Sequence, residues 1–225
     1  MSAVEWVTFD CYGTLIDWEG GVIEALGPFL PSGDRDHALA ERYIAAEAEV
    51  EGEAYRPYSE VLAVASGRLM AALGRPLPAE QSRVLPESVP RWRPFPEVAE
   101  SLRAVRAGGR HLAILSNVDR ELLARSIMRL GVEPDLTVTA EDCRSYKPAP
   151  GHWKRFRELS GASPAVTVHV AASVFHDIVP AAAQGYRTVF INRHGSPQPL
   201  GTVAPTRTLP DLKALPGVID EMANR

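Results

Sequence analysis

With 225 residues the chain has room for one large domain, or for a core and a smaller companion. Apolar residues at 45% and charged residues at 23% are ordinary for a protein that buries a real core. A net charge of −4 argues against nucleic acid or an anionic membrane as the main partner, because both reward a basic surface.

The run VEWVTFD is short, apolar, rich in β-formers and closed by an acid, which predicts a buried strand. From about residue 19 to 92 the pattern turns helical: Leu39, Tyr43, Ala46 and Val50 share one spacing, and Val61, Leu62, Ala65, Leu69, Ala72 and Leu73 share another that Gly74 closes. A different rhythm begins at FPEV. Pro96 suits a helix start, Val98, Leu102 and Val105 form a stripe, and Gly108-Gly109 end it. HLAILS reads as a strand, followed by a helix from near Asp119 to Gly131, the short strand LTVTA, and a helix from Pro150 to Gly161. VTVHVA is the next strand, one helix leads to Gly185, RTVFIN is a strand, and a short helix is expected near 210–216. Strands alternating with helices predict right-handed crossovers and a parallel sheet covered on both faces. The helical stretch interrupts that sheet after its first strand. No apolar run is long enough to span a membrane, no basic region precedes an apolar stretch at MSAVEWVTFD, and Cys11 and Cys143 make no disulfide framework, so a cytoplasmic location is expected.

In such a core, chemistry gathers at the carboxyl ends of the strands. The first strand delivers Asp10-Cys11-Tyr12-Gly13-Thr14 and the second Ser116-Asn117; Lys147-Pro148 lies before a helix, and Ala172-Ser173 is followed by Asp177. Each alone reads as a cap, a turn or a loop. In this order, each at a strand end, they form a specific constellation.

FDCYGTLID, ILSN, SYKPAP and ASVFHD resemble the four motifs of the haloacid dehalogenase superfamily, nearest its (S)-2-haloacid dehalogenase branch, and the resemblance runs along almost the whole chain. It implies an α/β fold, a Rossmann-like doubly wound parallel sheet with an inserted all-helical cap: core 1–18 and 93–225, cap 19–92. It also implies a hydrolase in which Asp10 attacks an electrophilic atom and forms a covalent intermediate that water hydrolyses. Thr14 and Ser116 would donate hydrogen bonds to substrate or nucleophile, Lys147 would neutralise the carboxylates, and Asp177 would hold Lys147 or position water. Tyr12, Asn117 and Ser173 complete the expected substrate-binding set.

Two departures bear on the chemistry. Phosphatases of the superfamily carry a second Asp where this chain has Tyr12, and an acid where it has Ala172. The first loss removes a general acid, the second a magnesium ligand. A halide leaves without a proton, so a metal-independent hydrolase acting at carbon is expected, with no cofactor. Asp10 and Asp177 against Lys147 leave a net negative site, which disfavours a phosphate without a metal. The expected partner is a small molecule, a carboxylate, with no nucleic acid and no membrane; a homodimer is left open. The family pattern calls for a cap arginine on the substrate carboxylate, and Arg42 is the first candidate and Arg56 the second. Trp153 stands where these dehalogenases carry Tyr, and Val174 where they carry Asn. The competing readings are a phosphatase recruiting magnesium through Asp10 and Asp177, and a catalytically silent relative that binds a metabolite or partner. Six scattered histidines show no metal-ligand spacing.

Overall fold

The five apolar runs become neighbouring strands of one sheet, and a sixth strand joins them. The computed structural model describes residues 3–195 and 203–224. Its strands are β1 (Trp6–Phe9), β2 (His111–Ser116), β3 (Leu136–Thr139), β4 (Thr167–Ala171), β5 (Arg187–Ile191) and β6 (Arg207–Leu209). The order is β3-β2-β1-β4-β5-β6, every neighbouring pair parallel. Helices follow as α1 (Trp18–Leu26), α2 (His37–Glu51), α3 (Tyr58–Ala72), α4 (Val84–Ser88), α5 (Val98–Ala107), α6 (Arg120–Leu130), α7 (Ala140–Cys143), α8 (Gly151–Ser160), α9 (Val179–Ala183) and α10 (Leu215–Ala223). The chain between β1 and α5 is helices, short 3-10 turns and loops. Among the described residues no helix is long and apolar enough to cross a membrane.

Alternation along each strand sends its side chains to opposite faces. Val7, Phe9, Leu112, Ile114, Val168 and Val170 join one apolar cluster, covered by Val98, Leu102 and Val105 of α5 and by Leu215, Ile219 and Met222 of α10. Ala113 and Leu115 face the other way, against Trp153 and Phe156 of α8 and Ala181 of α9. Both faces are buried, so the strands read as continuous apolar runs. Thr8 and His169 are among the buried polar exceptions. They are fully buried and paired in register across β1 and β4.

Two expectations need correction. β6 pairs with β5 where no strand was expected, because three residues are too few to show an alternation. The last helix lies at 215–223 rather than near 210–216. The helix leading to Gly185 begins as a π-helical turn over Val174–Ile178, with Ile178 N–H donating to Ser173 C=O at 3.1 Å, before α9 continues it.

The helical insertion is tied to the sheet by a borrowed cap. α3 starts after Pro57, whose side chain cannot accept a hydrogen bond. The carboxylate of Asp119, in the β2–α6 loop, accepts from the N–H groups of Tyr58 (2.7 Å) and Ser59 (2.8 Å). Asp119 sits at the start of α6, as the sequence suggests, but its side chain caps α3. An anion at a helix N-terminus satisfies orphan donors and opposes the macrodipole. Asp119→Ala is expected to cost about 1–2 kcal/mol in urea denaturation and to speed hydrogen exchange at the Tyr58 and Ser59 amides; unchanged exchange at those two amides would show the cap to be dispensable.

Candidate active site

β1 lies between β2 and β4, where the strand order reverses, so the carboxyl ends of β1 and β4 flank a crevice. Asp10 follows β1 directly, its backbone N–H donating to Val170 C=O at 3.0 Å. The chain then turns at Gly13, whose φ of +91° favours glycine, and a Cβ there would come within 3.1 Å of the Trp18 ring. The turn brings Thr14 back. Its hydroxyl donates to Asp10 Oδ2 at 2.8 Å and accepts from Ala172 N–H at 2.9 Å.

Lys147 reaches the same point from the loop before α8 and is 2% exposed. Its ammonium donates to Asp10 Oδ1 (2.9 Å), Asp177 Oδ1 (2.6 Å) and Leu115 C=O (2.9 Å), which uses all its protons. Asp177 also contacts His169 Nε2 at 3.0 Å, and His169 Nδ1 lies 2.8 Å from Thr8 Oγ1. A carboxylate only accepts, so Nε2 carries a proton and donates to Asp177. Burial works against the Lys147 charge, but Asp10 and Asp177 outweigh it and raise its pKa. Burial alone would raise Asp177; Lys147 and His169 instead hold it at about 2. For Asp10, burial and the Asp177 charge outweigh the pull of Lys147 and Thr14, and its pKa is raised.

These residues open onto a cavity of about 490 Å³, which Asp10, Tyr12, Ser116, Asn117, Lys147, Ser173 and Asp177 all line. The Ser116 hydroxyl is buried and has no hydrogen-bond partner among the described residues. Behind it, His152 Nε2 donates to Ser116 C=O at 3.1 Å, and burial lowers the imidazole pKa to about 3, so it is neutral. Asn117 is largely committed elsewhere: Oδ1 accepts from Lys147 N–H (2.7 Å) and Nδ2 donates to Lys147 C=O (3.1 Å), fixing the lysine loop. The Tyr12 hydroxyl bonds Ser126 at 2.8 Å and its ring stands edge-on to Trp92. The Ser173 hydroxyl accepts from His176 N–H and meets its Nδ1, both at 3.1 Å, closing the π-helical turn.

The arginine expectation fails. Arg42 is exposed and lines no part of the cavity, because its neighbour Tyr43 takes the buried side of α2. Arg56 also lies outside the cavity, paired with Glu53. Trp153 is buried in the core with its ring edge-on to His169, so it packs behind the site rather than lining it; Val174 does line it. The cavity contains instead Glu47 and Glu51, four apart on α2, with Tyr43 and Tyr58. Both tyrosine hydroxyls donate to Glu47 Oε1, at 2.9 and 2.7 Å. The signal in the sequence was an acid at i+4 from Tyr43, inside an apolar stripe; for Thr8 and His169 it was a polar residue within an apolar strand. Tertiary folding also gathers His37 and His194 on Glu19, at 2.9 and 3.1 Å, which no sequence spacing indicates.

Removing the cation should expose its structural role. Lys147→Met leaves two buried carboxylates facing each other and is expected to cost about 3–5 kcal/mol near pH 7. In the variant both carboxyls titrate above their unfolded values, so the deficit is full at neutral pH and shrinks as pH falls and they take up protons. Urea titrations from pH 8 to 5 measure it; a deficit independent of pH would mean lost packing alone.

The comparisons with known proteins agree with this geometry. The family model described as haloacid dehalogenase-like hydrolase matches residues 4–185. Haloacetate dehalogenase H-2 of Moraxella sp. (strain B) is 30% identical over 201 residues, covering 87% of this chain and 88% of the relative. The crystal structure of the L-2-haloacid dehalogenase RSc1362 superposes with a TM-score of 0.87 at 26% identity, covering 97% of this chain and 100% of that one. The L-2-haloacid dehalogenase of Xanthobacter autotrophicus shares the fold, with a TM-score of 0.84 at 21% identity over 98% of this chain and 100% of that one. With a doubly wound parallel sheet, four matching strand-end motifs and a family match along most of its length, this chain belongs to the haloacid dehalogenase-like hydrolases.

Proposed function

We propose that this chain hydrolyses a carbon-bound leaving group from a small 2-substituted carboxylic acid, a 2-halo acid in the simplest case, through a covalent ester on Asp10. The observation that carries the reading is a buried carboxylate at the end of β1, oriented at one oxygen by Lys147 and at the other by Thr14, and facing a cavity. Asp10 attacks carbon 2 and the halide leaves with its bonding electrons. Water then adds to the ester carbonyl and the acyl–oxygen bond breaks. The balance is one water consumed, with halide, a proton and a 2-hydroxy acid released. Lys147 and Thr14 hold different oxygens of Asp10, so whichever oxygen remains the carbonyl keeps its own donor as charge develops there. Asp177, held at about 2, is a poor proton acceptor, so its role is to anchor Lys147. With Arg42 outside the cavity, the unpartnered Ser116 hydroxyl is the group proposed to donate to the substrate carboxylate. Residues 19–92 act as the cap over a core of 1–18 and 93–225.

The donor set does not fit magnesium. Lys147 already stands between the two carboxylates, Tyr12 turns its hydroxyl to Ser126, and Ala172 offers no side-chain oxygen. The relatives named for haloacetate and L-2-haloacid dehalogenation fall in the same reaction class, which supports the reading.

A single turnover in ¹⁸O-water with enzyme in excess is expected to give unlabelled product and label in the Asp10 peptide, and Asp10→Asn to be inactive. Full label in the first product would make Asp10 a base and end the covalent reading. Turnover is also expected to survive chelator, with added magnesium changing kcat/KM less than about twofold; strict dependence on magnesium would favour phosphoryl transfer.

A further inference from the structure

We infer that the cap-side wall of the cavity, built by Glu47 and Glu51 with Tyr43 and Tyr58, is a subsite for a protonated amine on the arm of the substrate. The inference rests on the proposed reading of this cavity as the substrate site. Among the described residues, five carboxyl side chains line the cavity (Asp10, Glu19, Glu47, Glu51 and Asp177) against two permanent cations, Lys147 and Arg193. Neither cation donates a hydrogen bond to the cap wall. Lys147 spends its donors on Asp10, Asp177 and Leu115. Arg193 spends its own on Glu97 and on the carbonyls of Gly13 and Thr14, and stacks over Phe95.

The wall itself is arranged to accept. Tyr43 and Tyr58 both donate to Glu47 Oε1, which holds the carboxyl in place and leaves Oε2 free. Glu51 has neither a hydrogen-bond nor an ion-pair partner among the described residues, and it shares with Glu47 the face of α2 that lines the cavity. Toward the Asp10 end, the Ser116 hydroxyl, in a residue 1% exposed, is a second group without a partner. A ligand spanning the cavity would therefore meet an unpaired hydroxyl beside the nucleophile and unpaired acceptors at the cap. About 490 Å³ lies in the range that holds ligands well beyond a two- or three-carbon acid.

The acceptors select the chemistry. An anionic arm would add like charge, and an apolar arm would strand the carboxyls without water or partner. An ammonium offers three donors and the missing positive charge. The groups facing Glu51 are Glu47 and Tyr43 from α2, Tyr58 from α3, and Tyr146 and Lys147 from the loop before α8. Burial, then the Glu47 charge, outweigh Lys147 and push Glu51 up to about 8. The empty wall therefore holds a proton at neutral pH, and a bound ammonium displaces it. Affinity for the amine rises as pH climbs from 6.5 toward 8.5.

Titration calorimetry on the full chain at pH 8, with 4-aminobutanoate, 5-aminopentanoate and 6-aminohexanoate against the corresponding unsubstituted acids, tests the subsite without requiring turnover. At least one amino acid is expected to bind about tenfold more tightly than its plain counterpart, with release of a proton. The advantage should shrink at pH 6.5 and vanish in Glu51→Gln. Equal affinities throughout the series, absence of binding included, overturn the inference. So does a preference that survives Glu51→Gln, or affinity that grows as pH falls, which would mark Glu51 as a neutral donor to an anion. Turnover of 2-chlorohexanoate and 6-amino-2-chlorohexanoate separates the two readings. Equal kcat/KM for both counts against the subsite and leaves the Asp10 chemistry standing, whereas tight amine binding with neither chloro acid hydrolysed keeps the subsite and sinks the proposed reaction.

Discussion

One ammonium group, that of Lys147, organises the centre of this molecule. Two carboxylates, Asp10 and Asp177, are buried within reach of each other, and neither could stay ionised there without a cation between them. Lys147 meets both and the Leu115 carbonyl, so its three donors are satisfied in three directions. That geometry needs the loop before α8 to be held, which the Asn117 side chain does by pairing with both backbone groups of Lys147. It also needs Asp177 to be held, and His169 and Thr8 do this from the middle of the sheet. The polar pair of Thr8 and His169 inside the sheet is thus the support of the site.

The same arrangement divides labour between the carboxylates. Asp177, bonded to a lysine and a histidine, stays ionised far into acid and is chemically quiet. Asp10 shares the lysine, but burial and the Asp177 charge outweigh it and raise the Asp10 pKa. Thr14 orients its second oxygen through a turn that only glycine at position 13 makes readily. Two acids of one residue type acquire different roles from their surroundings alone.

The insertion above the sheet is coupled to it by polar contacts at several points. Asp119 caps α3, Tyr146 donates to the Arg56 carbonyl at 2.8 Å, and Tyr12 and Trp92 pack edge to face. These contacts set the α2 wall opposite Asp10. Its acids distinguish this cavity from the arginine-bearing one that the family resemblance led us to expect.

Periodicity and strand-end motifs in the sequence were enough for the sheet, the helical insertion, and the set Asp10, Thr14, Ser116, Lys147 and Asp177, because short-range patterning and motif order carry that information directly. β6 escaped because three residues have no pattern. A residue's place in a motif does not say which way its side chain faces: Arg42 turns to solvent, Trp153 into the core, and Asn117, which lines the cavity, braces the backbone of Lys147. Glu47 and Glu51 belong to no motif, and only the fold places them on the α2 wall of the cavity. By itself, the sequence determined the architecture and the order of the strand-end motifs, which depend on local periodicity and on residues beside one another in the chain. Which charges share the cavity was decided by tertiary structure alone, since burial and proximity between residues as far apart as 51, 147 and 177 arise only when the chain is packed.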